Sequence, residues 1–156
     1  MSKLERIDNM QRVQIVKIEM VKEKNLMVEN KRISSPKDIA EIMFKYLKGA
    51  DREYLVVITL KTKNDVNSIS TVSIGSLNSS IAHPREIFKT AILSNAANII
   101  LCHNHPSGDP SFSKEDILLS KRVKECGDIL GVQVLDHIVI TNTNKFLSMK
   151  AEDIVF

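Results

Sequence analysis

LCHNHPSGDPSFSKED, residues 101–116, joins the end of an apolar strand to the start of a helix. His103 and His105 stand two apart where the apolar run NIILC (98–102) ends. In extended backbone, residues i and i+2 point to the same side, so both imidazoles can face one point. Pro106, Gly108 and Pro110 make a rigid turn, Ser113 then starts a helix, and Asp116 falls in its first turn, able to look back at the histidines. Two imidazoles and a carboxylate are a ligand set that suits Zn²⁺, and three protein ligands leave a fourth tetrahedral position for water, the pattern of catalytic zinc. Water held that way has a pKa of about 7 and is a nucleophile at neutral pH. A plainer reading stands beside this one. Ser113-x-x-Asp116 is also a capping box, and a histidine pair at a strand end can simply cap a loop.

Working outward, the pattern predicts strands and helices in alternation. Downstream, the helix opened by Ser113 runs through Ile117, Leu118 and Val123 toward Cys126 and Gly127. Residues 132–140 read as strand, Asn142-Thr143-Asn144 as a turn, and Phe146-Leu147 as the start of a last short strand. Upstream, Pro84 opens a helix with Ile87, Ala91 and Leu93 as core candidates, and YLVVITL (54–60) suits a central strand covered on both faces. Lys63-Asn64-Asp65 turns the chain and residues 67–74 return as a strand. Ser35, Pro36 and Asp38 mark a helix start, after which Ile39, Ile42, Met43, Tyr46 and Leu47 follow helical spacing. VQIVKIEMV (13–21) alternates and predicts a half-buried strand, followed by a charged connection, 22–32, with room for a short hairpin. Residues 75–80, GSLNSS, form a small-residue loop that either borders a substrate groove or only connects. The expected fold is α/β, a mixed β-sheet with helices on both sides. Its expected organisation is a flexible N-terminus (1–12), a strand and connection (13–34), and the metal-bearing domain (35–156), with 13–156 as one folded unit.

Composition bounds the remaining possibilities. A chain of 156 residues, 43% hydrophobic and 26% charged, has the profile of one ordinary globular domain. No apolar run approaches the ~20 residues of a membrane helix, and MSKLERIDNM lacks a signal-peptide core. With only two cysteines, Cys102 and Cys126, these features predict a cytoplasmic protein with no membrane partner. The net charge of +3 invites a nucleic-acid reading. Residues 1–48 hold 11 Lys/Arg against 7 Asp/Glu, whereas 49–156 hold 11 against 12, so the surplus is N-terminal and mixed with acids. Aromatics are 4% and Trp is absent, which leaves little to stack bases. Charge alone does not argue for DNA. H-E-x-x-H and the H-x-E…P-C-x-x-C pattern of zinc deaminases are both absent.

His103-x-His105-Pro106, with Ser113 and Asp116 at their spacings, resembles the JAMM (MPN-plus) metalloprotease signature without a gap. The wording LNSSIAHPREIF (77–88), HNHPSGDPSFSKED (103–116) and LLSKRVKECGDILGVQVLDHIVI (118–140) is similar to one branch of it, the RadC family. The resemblance implies the JAB/MPN fold, a cytidine-deaminase-like three-layer architecture. It implies that His103, His105 and Asp116 hold one catalytic Zn²⁺ and that Ser113 hydrogen-bonds the developing oxyanion. It also implies a glutamate general base from an upstream strand or its lead-in. Two acids compete for that role: Glu53, directly before YLVVITL, and Glu86, in the HPREIF helix start. Glu86 already has a plain use as a first-turn partner of the helix dipole. His83, before Pro84, is a loop residue at a helix entrance that could border the cleft. Asn104 should point away from the metal and tie down the loop. Cys102 alternates to the opposite side as a buried thiol, and His137 reads as a satisfied core histidine.

The resemblance implies a zinc metallopeptidase that cleaves a peptide or isopeptide bond in a peptide or protein substrate. The family's historic label as a DNA-repair protein implies an alternative, a DNA-associated accessory or binding module with the fold but no peptidase activity. Longer relatives carry an N-terminal helix-hairpin-helix region. The 34 residues ahead of the first clear helix here contain no glycine, so its G-x-G hairpin is missing and a short form is expected.

Overall fold

A computed structural model describes residues 10–75 and 82–156. Its elements run α1 (Pro36–Tyr46), β1 (Tyr54–Leu60), β2 (Val66–Ile74), α2 (Pro84–Leu93), β3 (Asn98–His105), α3 (Lys114–Leu130), β4 (Gln133–Thr141) and β5 (Phe146–Ser148). The strands form one sheet in the order β2-β1-β3-β4-β5. Only β3 and β4 are parallel, joined by the crossover helix α3; the other neighbours are antiparallel, so the sheet is mixed.

Alternation along the central strands sorts side chains to two faces, and each face has its own helices. Leu55, Val57, Ile99 and Leu101 pack with Ile87, Phe88 and Ala91 of α2 and Val123 of α3. Val56, Ile58, Leu60, Ile100, Cys102, Ile138 and Ile140 pack with Ile39, Ala40 and Met43 of α1. The architecture is therefore three layers, α1 on one side and α2 with α3 on the other. Each large aliphatic or aromatic side chain fully buried in these layers contributes about 1.5–3 kcal/mol.

The helix starts are chemically marked. Asp38 Oδ2 accepts the backbone N–H of Ser34 and of Ser35, each at 2.8 Å, which closes the first turn of α1. The first of these holds the Asp38 carboxyl below the usual carboxylate range. Helix α3 runs one turn past the expected stop at Gly127, to Leu130, and ends at Gly131 with φ 70°. Gly127 has a different task. A Cβ there would meet the Val132 carbonyl oxygen at 2.5 Å and Val134 Cγ2 at 2.8 Å, because the chain folds back across it into β4. Gly127→Ala is therefore expected to destabilise by about 1–3 kcal/mol through overpacking. That outweighs the ~1 kcal/mol helix-propensity gain. The check is thermal unfolding, at about 2–4 °C per kcal/mol; an unchanged or raised melting temperature would refute it.

Three expectations need correction. Residues 13–21 form no strand; they are exposed and outside the sheet, and the connection at 22–28, half-buried at Leu26 and Val28, lies outside the sheet too and makes no hairpin. Alternation makes a segment compatible with a ladder, but a strand also needs a partner edge, and this segment has none among the described residues. Near the end of the connection Arg32 and Asp65 make an isolated bridge. Leu93 is exposed rather than core, because it falls on the outer face of α2. The flexible N-terminus lies, for residues 1–9, outside the described residues, as do positions 76–80 of the small-residue loop.

Candidate metal centre

Strand β3 runs through to His105, beyond the apolar run, and carries both histidines on one face. His103 pairs in register with Leu55 of β1 and Val139 of β4, on the side covered by α2 and α3, and is fully buried. Cys102 lies on the opposite face as expected. Burial raises the pKa of its thiol, with the nearby Asp136 adding to the effect.

The turn after β3 orients His105. Gly108 has φ 85°, a conformation that disfavours a side chain, and its N–H bonds the His105 carbonyl at 3.2 Å. The chain comes back so that the Asp109 carbonyl sits 2.8 Å from His105 Nδ1. A carbonyl only accepts, so Nδ1 carries the proton and Nε2 presents its lone pair.

Asp116 arrives from the first turn of α3, where it completes the helix cap and also faces the histidines. Ser113 Oγ accepts the Asp116 N–H at 3.1 Å, and Asp116 Oδ2 accepts the Ser113 N–H at 2.8 Å, a complete capping box. The same carboxylate faces the imidazoles, with Oδ1 3.3 Å from His103 Nε2 and Oδ2 3.7 Å from His105 Nε2. The two Nε2 atoms are 2.8 Å apart. A tetrahedral ion with ligands at ~2.0–2.1 Å needs donors roughly 3.3 Å apart, and these spacings bracket that value. Burial opposes ionisation of Asp116, but the facing His103 ring and the Ser113 amide outweigh it and hold the carboxyl below the usual carboxylate range. Two ring nitrogens and a carboxylate converge here, and His103, His105 and Asp116 could together hold a metal ion.

The other residues singled out from the sequence divide clearly. Asn104 is on the opposite face from the histidines, and its amide reaches the lead-in of β1: Oδ1 accepts the Tyr54 N–H at 2.7 Å and Nδ2 donates to the Arg52 carbonyl at 2.9 Å. It thus brackets Glu53, whose own carbonyl accepts the Gly75 N–H at 2.8 Å and which is half-buried. Glu86 stands apart from the three donors. Lys89 reaches both its carboxylate oxygens at 2.9 Å and lowers its pKa. His83 caps α2, its Nδ1 accepting the Arg85 N–H at 3.2 Å, with Arg122 against its other nitrogen.

His137 and Ser120 are the residues the sequence reading underrated. His137 is buried and satisfied, as a core histidine should be, but its partners tie it to the donors. Its Nε2 is 2.7 Å from His103 Nδ1, and its Nδ1 is 2.6 Å from Ser120 Oγ. Burial, then the neighbouring His103, keeps it well below the ordinary histidine range. One signal was available in the sequence, and it concerned Ser120 alone. Ser120 is one helical turn after Asp116 on the same face, whereas His137 is brought to His103 by the parallel pairing of β4 with β3.

Comparison with known proteins agrees with this geometry. A family model described as the RadC-like JAB domain matches residues 33–154. A UPF0758 protein of Clostridium beijerinckii is 52% identical over 124 residues, 80% of this chain. Relatives with the same name from Clostridium tetani and Desulforamulus reducens are 53% and 50% identical, over 81% and 79% of the chain. The chain spans only 54–55% of the length of these relatives. The match takes in every element from α1 to β5 together with the His-x-His strand and the capped helix that carries Asp116, and on that ground the chain belongs to the RadC-like JAB domain family.

Proposed function

We propose that this chain is a zinc-dependent hydrolase of the JAMM type that cleaves a peptide or isopeptide bond in a protein substrate. The observation that carries this reading is the convergence of His103 Nε2, His105 Nε2 and the Asp116 carboxylate at spacings fit for one tetrahedral ion. Zinc held there would polarise an amide carbonyl and acidify water.

The protein's own groups would do the rest. Glu53 is the general base: it takes a proton from the attacking water and passes it to the leaving nitrogen. The backbone register supports this role. Leu55 pairs with His103, so an extended lead-in carries Glu53, two residues earlier, toward the same face and opposite His105. The Asn104 clamp on residues 52 and 54 restrains that lead-in from both sides. Ser113 uses an oxygen lone pair for the helix cap and keeps its hydroxyl proton to donate to the tetrahedral oxyanion. Losing one donor of that kind typically costs ~10²–10³ in rate. A reducing, cytoplasmic setting belongs to this reading and fits two free cysteines. Among the described residues no helix is long and apolar enough to cross a membrane.

The test is metal analysis joined to turnover. The purified chain should bind about one zinc ion and hydrolyse members of a panel of peptide and ubiquitin-type isopeptide substrates, with activity lost to a chelator and restored by zinc. A folded chain that takes up no zinc would sink the proposal. A salt-sensitive shift of duplex or single-stranded DNA without hydrolysis of any substrate would favour a DNA-associated module instead.

A further inference from the structure

The His103–His137–Ser120 chain has a polarity that can be followed proton by proton. All three side chains are fully buried, so water does not compete. The Ser120 hydroxyl donates its one proton to the Asp116 carbonyl at 2.8 Å. What it offers His137 Nδ1, 2.6 Å away, is a lone pair, so Nδ1 carries the ring proton. His137 Nε2 is then bare and accepts from His103 Nδ1–H at 2.7 Å. His103 is left with a bare Nε2 aimed at His105 and Asp116. Run the other way, with the Ser120 proton given to His137, the chain would put a proton on His103 Nε2, in the position a metal must take.

His105 needs no such device, because its Nδ1 faces a carbonyl that can only accept. His103 faces another imidazole, which can donate or accept, so something beyond it has to choose. We propose that Ser120 and His137 are positioning residues that select the metal-binding tautomer of His103, with the serine's bond back to its own helix setting the direction. The His137 backbone is held for this task by Asp136, whose Oδ1 accepts the His137 N–H at 2.7 Å while Oδ2 takes the Ser148 hydroxyl. Ligating histidines commonly donate their second nitrogen to an outer partner that fixes ring and tautomer; here that partner is itself a histidine with its own tautomer to fix. The inference rests on the metal-site reading above.

The test has two arms on the full chain. Long-range ¹H–¹⁵N spectra of the imidazole rings should show the His137 proton on Nδ1 in the wild type, with or without zinc. In metal-free Ser120→Ala it should move to Nε2. By chelator competition, Ser120→Ala and His137→Phe should bind zinc about 10–100-fold more weakly. His137→Gln, whose amide oxygen can still accept from His103, should recover most of that loss. A wild-type His137 protonated on Nε2 overturns the proposal, as do folded Ser120→Ala and His137→Phe chains with wild-type zinc affinity. If Ser120→Ala does not fold, the wild-type ring spectrum and the Phe/Gln pair still decide. A wild-type chain that binds no zinc defeats the underlying site reading, whereas the spectrum reports the relay's direction either way.

Discussion

Asp116→Asn is expected to give a folded chain that no longer holds metal. Asp116 serves two structures at once, and the amide separates them. As the third residue of the capped helix it accepts the Ser113 N–H at 2.8 Å and donates its own N–H to Ser113 Oγ. An asparagine can keep that acceptor. As a donor to the cluster it supplies the one anionic group, 3.3 and 3.7 Å from the two ring nitrogens. The amide removes the charge and replaces one oxygen with an N–H group that repels a cation. Zinc affinity should therefore fall by more than the ~10–100-fold typical of losing an outer partner, while far-UV circular dichroism stays close to wild type. Asp116→Ala should lose metal and also about 1 kcal/mol of helix-cap stability. Melting curves with and without zinc give an independent readout. Zinc at 100 times its Kd should stabilise the wild type by about 2.7 kcal/mol and Asp116→Asn hardly at all. Wild-type zinc affinity in Asp116→Asn would remove the carboxylate from the site.

Glu53→Gln should leave zinc content intact and lower kcat by about 10²–10⁴, the range for losing a positioned general base. The split between binding and rate follows from its location. Glu53 is outside the trio of donors, in the lead-in of β1, and its neighbours Arg52 and Tyr54 are both tied to Asn104. Glutamine keeps the size and hydrogen-bonding capacity of the side chain but cannot carry the proton. Glu86→Gln is the control. Its carboxylate is engaged by Lys89 on the surface of α2, so its replacement should leave kcat near wild type. Reversed results, with Glu86→Gln inactive and Glu53→Gln active, would transfer the role. Measuring zinc per chain beside kcat for both variants keeps loss of metal from passing as loss of the base.

Much of this centre was legible because its signals are local. The i, i+2 spacing of His103 and His105 needs only an extended backbone to put both rings on one side. Asp116 in the first turn follows from the Ser113 cap, which the structure contains in full. The apolar runs of β1 and β3 announced a sheet covered on both faces, and α1 and α2 begin at the prolines that marked them. The misplaced pieces depended on information held elsewhere in the chain. The segment 13–21 has a strand's alternation, but pairing requires an edge that the pattern cannot supply. Leu93 fits a helical count and still faces outward, since which stripe is buried depends on where the sheet lies.

The sequence by itself determined the donor types, their spacing and the two-sided sheet, because each rests on the geometry of one strand or one helix turn. Tertiary structure decided what those donors meet. His137 is 34 residues from His103 along the chain and 2.7 Å from it in space, since β4 pairs in parallel with β3 only after α3 has crossed over. Asn104 reaches back 50 residues to the backbone of Tyr54 because β1 and β3 are neighbours. Contacts of that kind arise from strand order and register, which no local periodicity encodes.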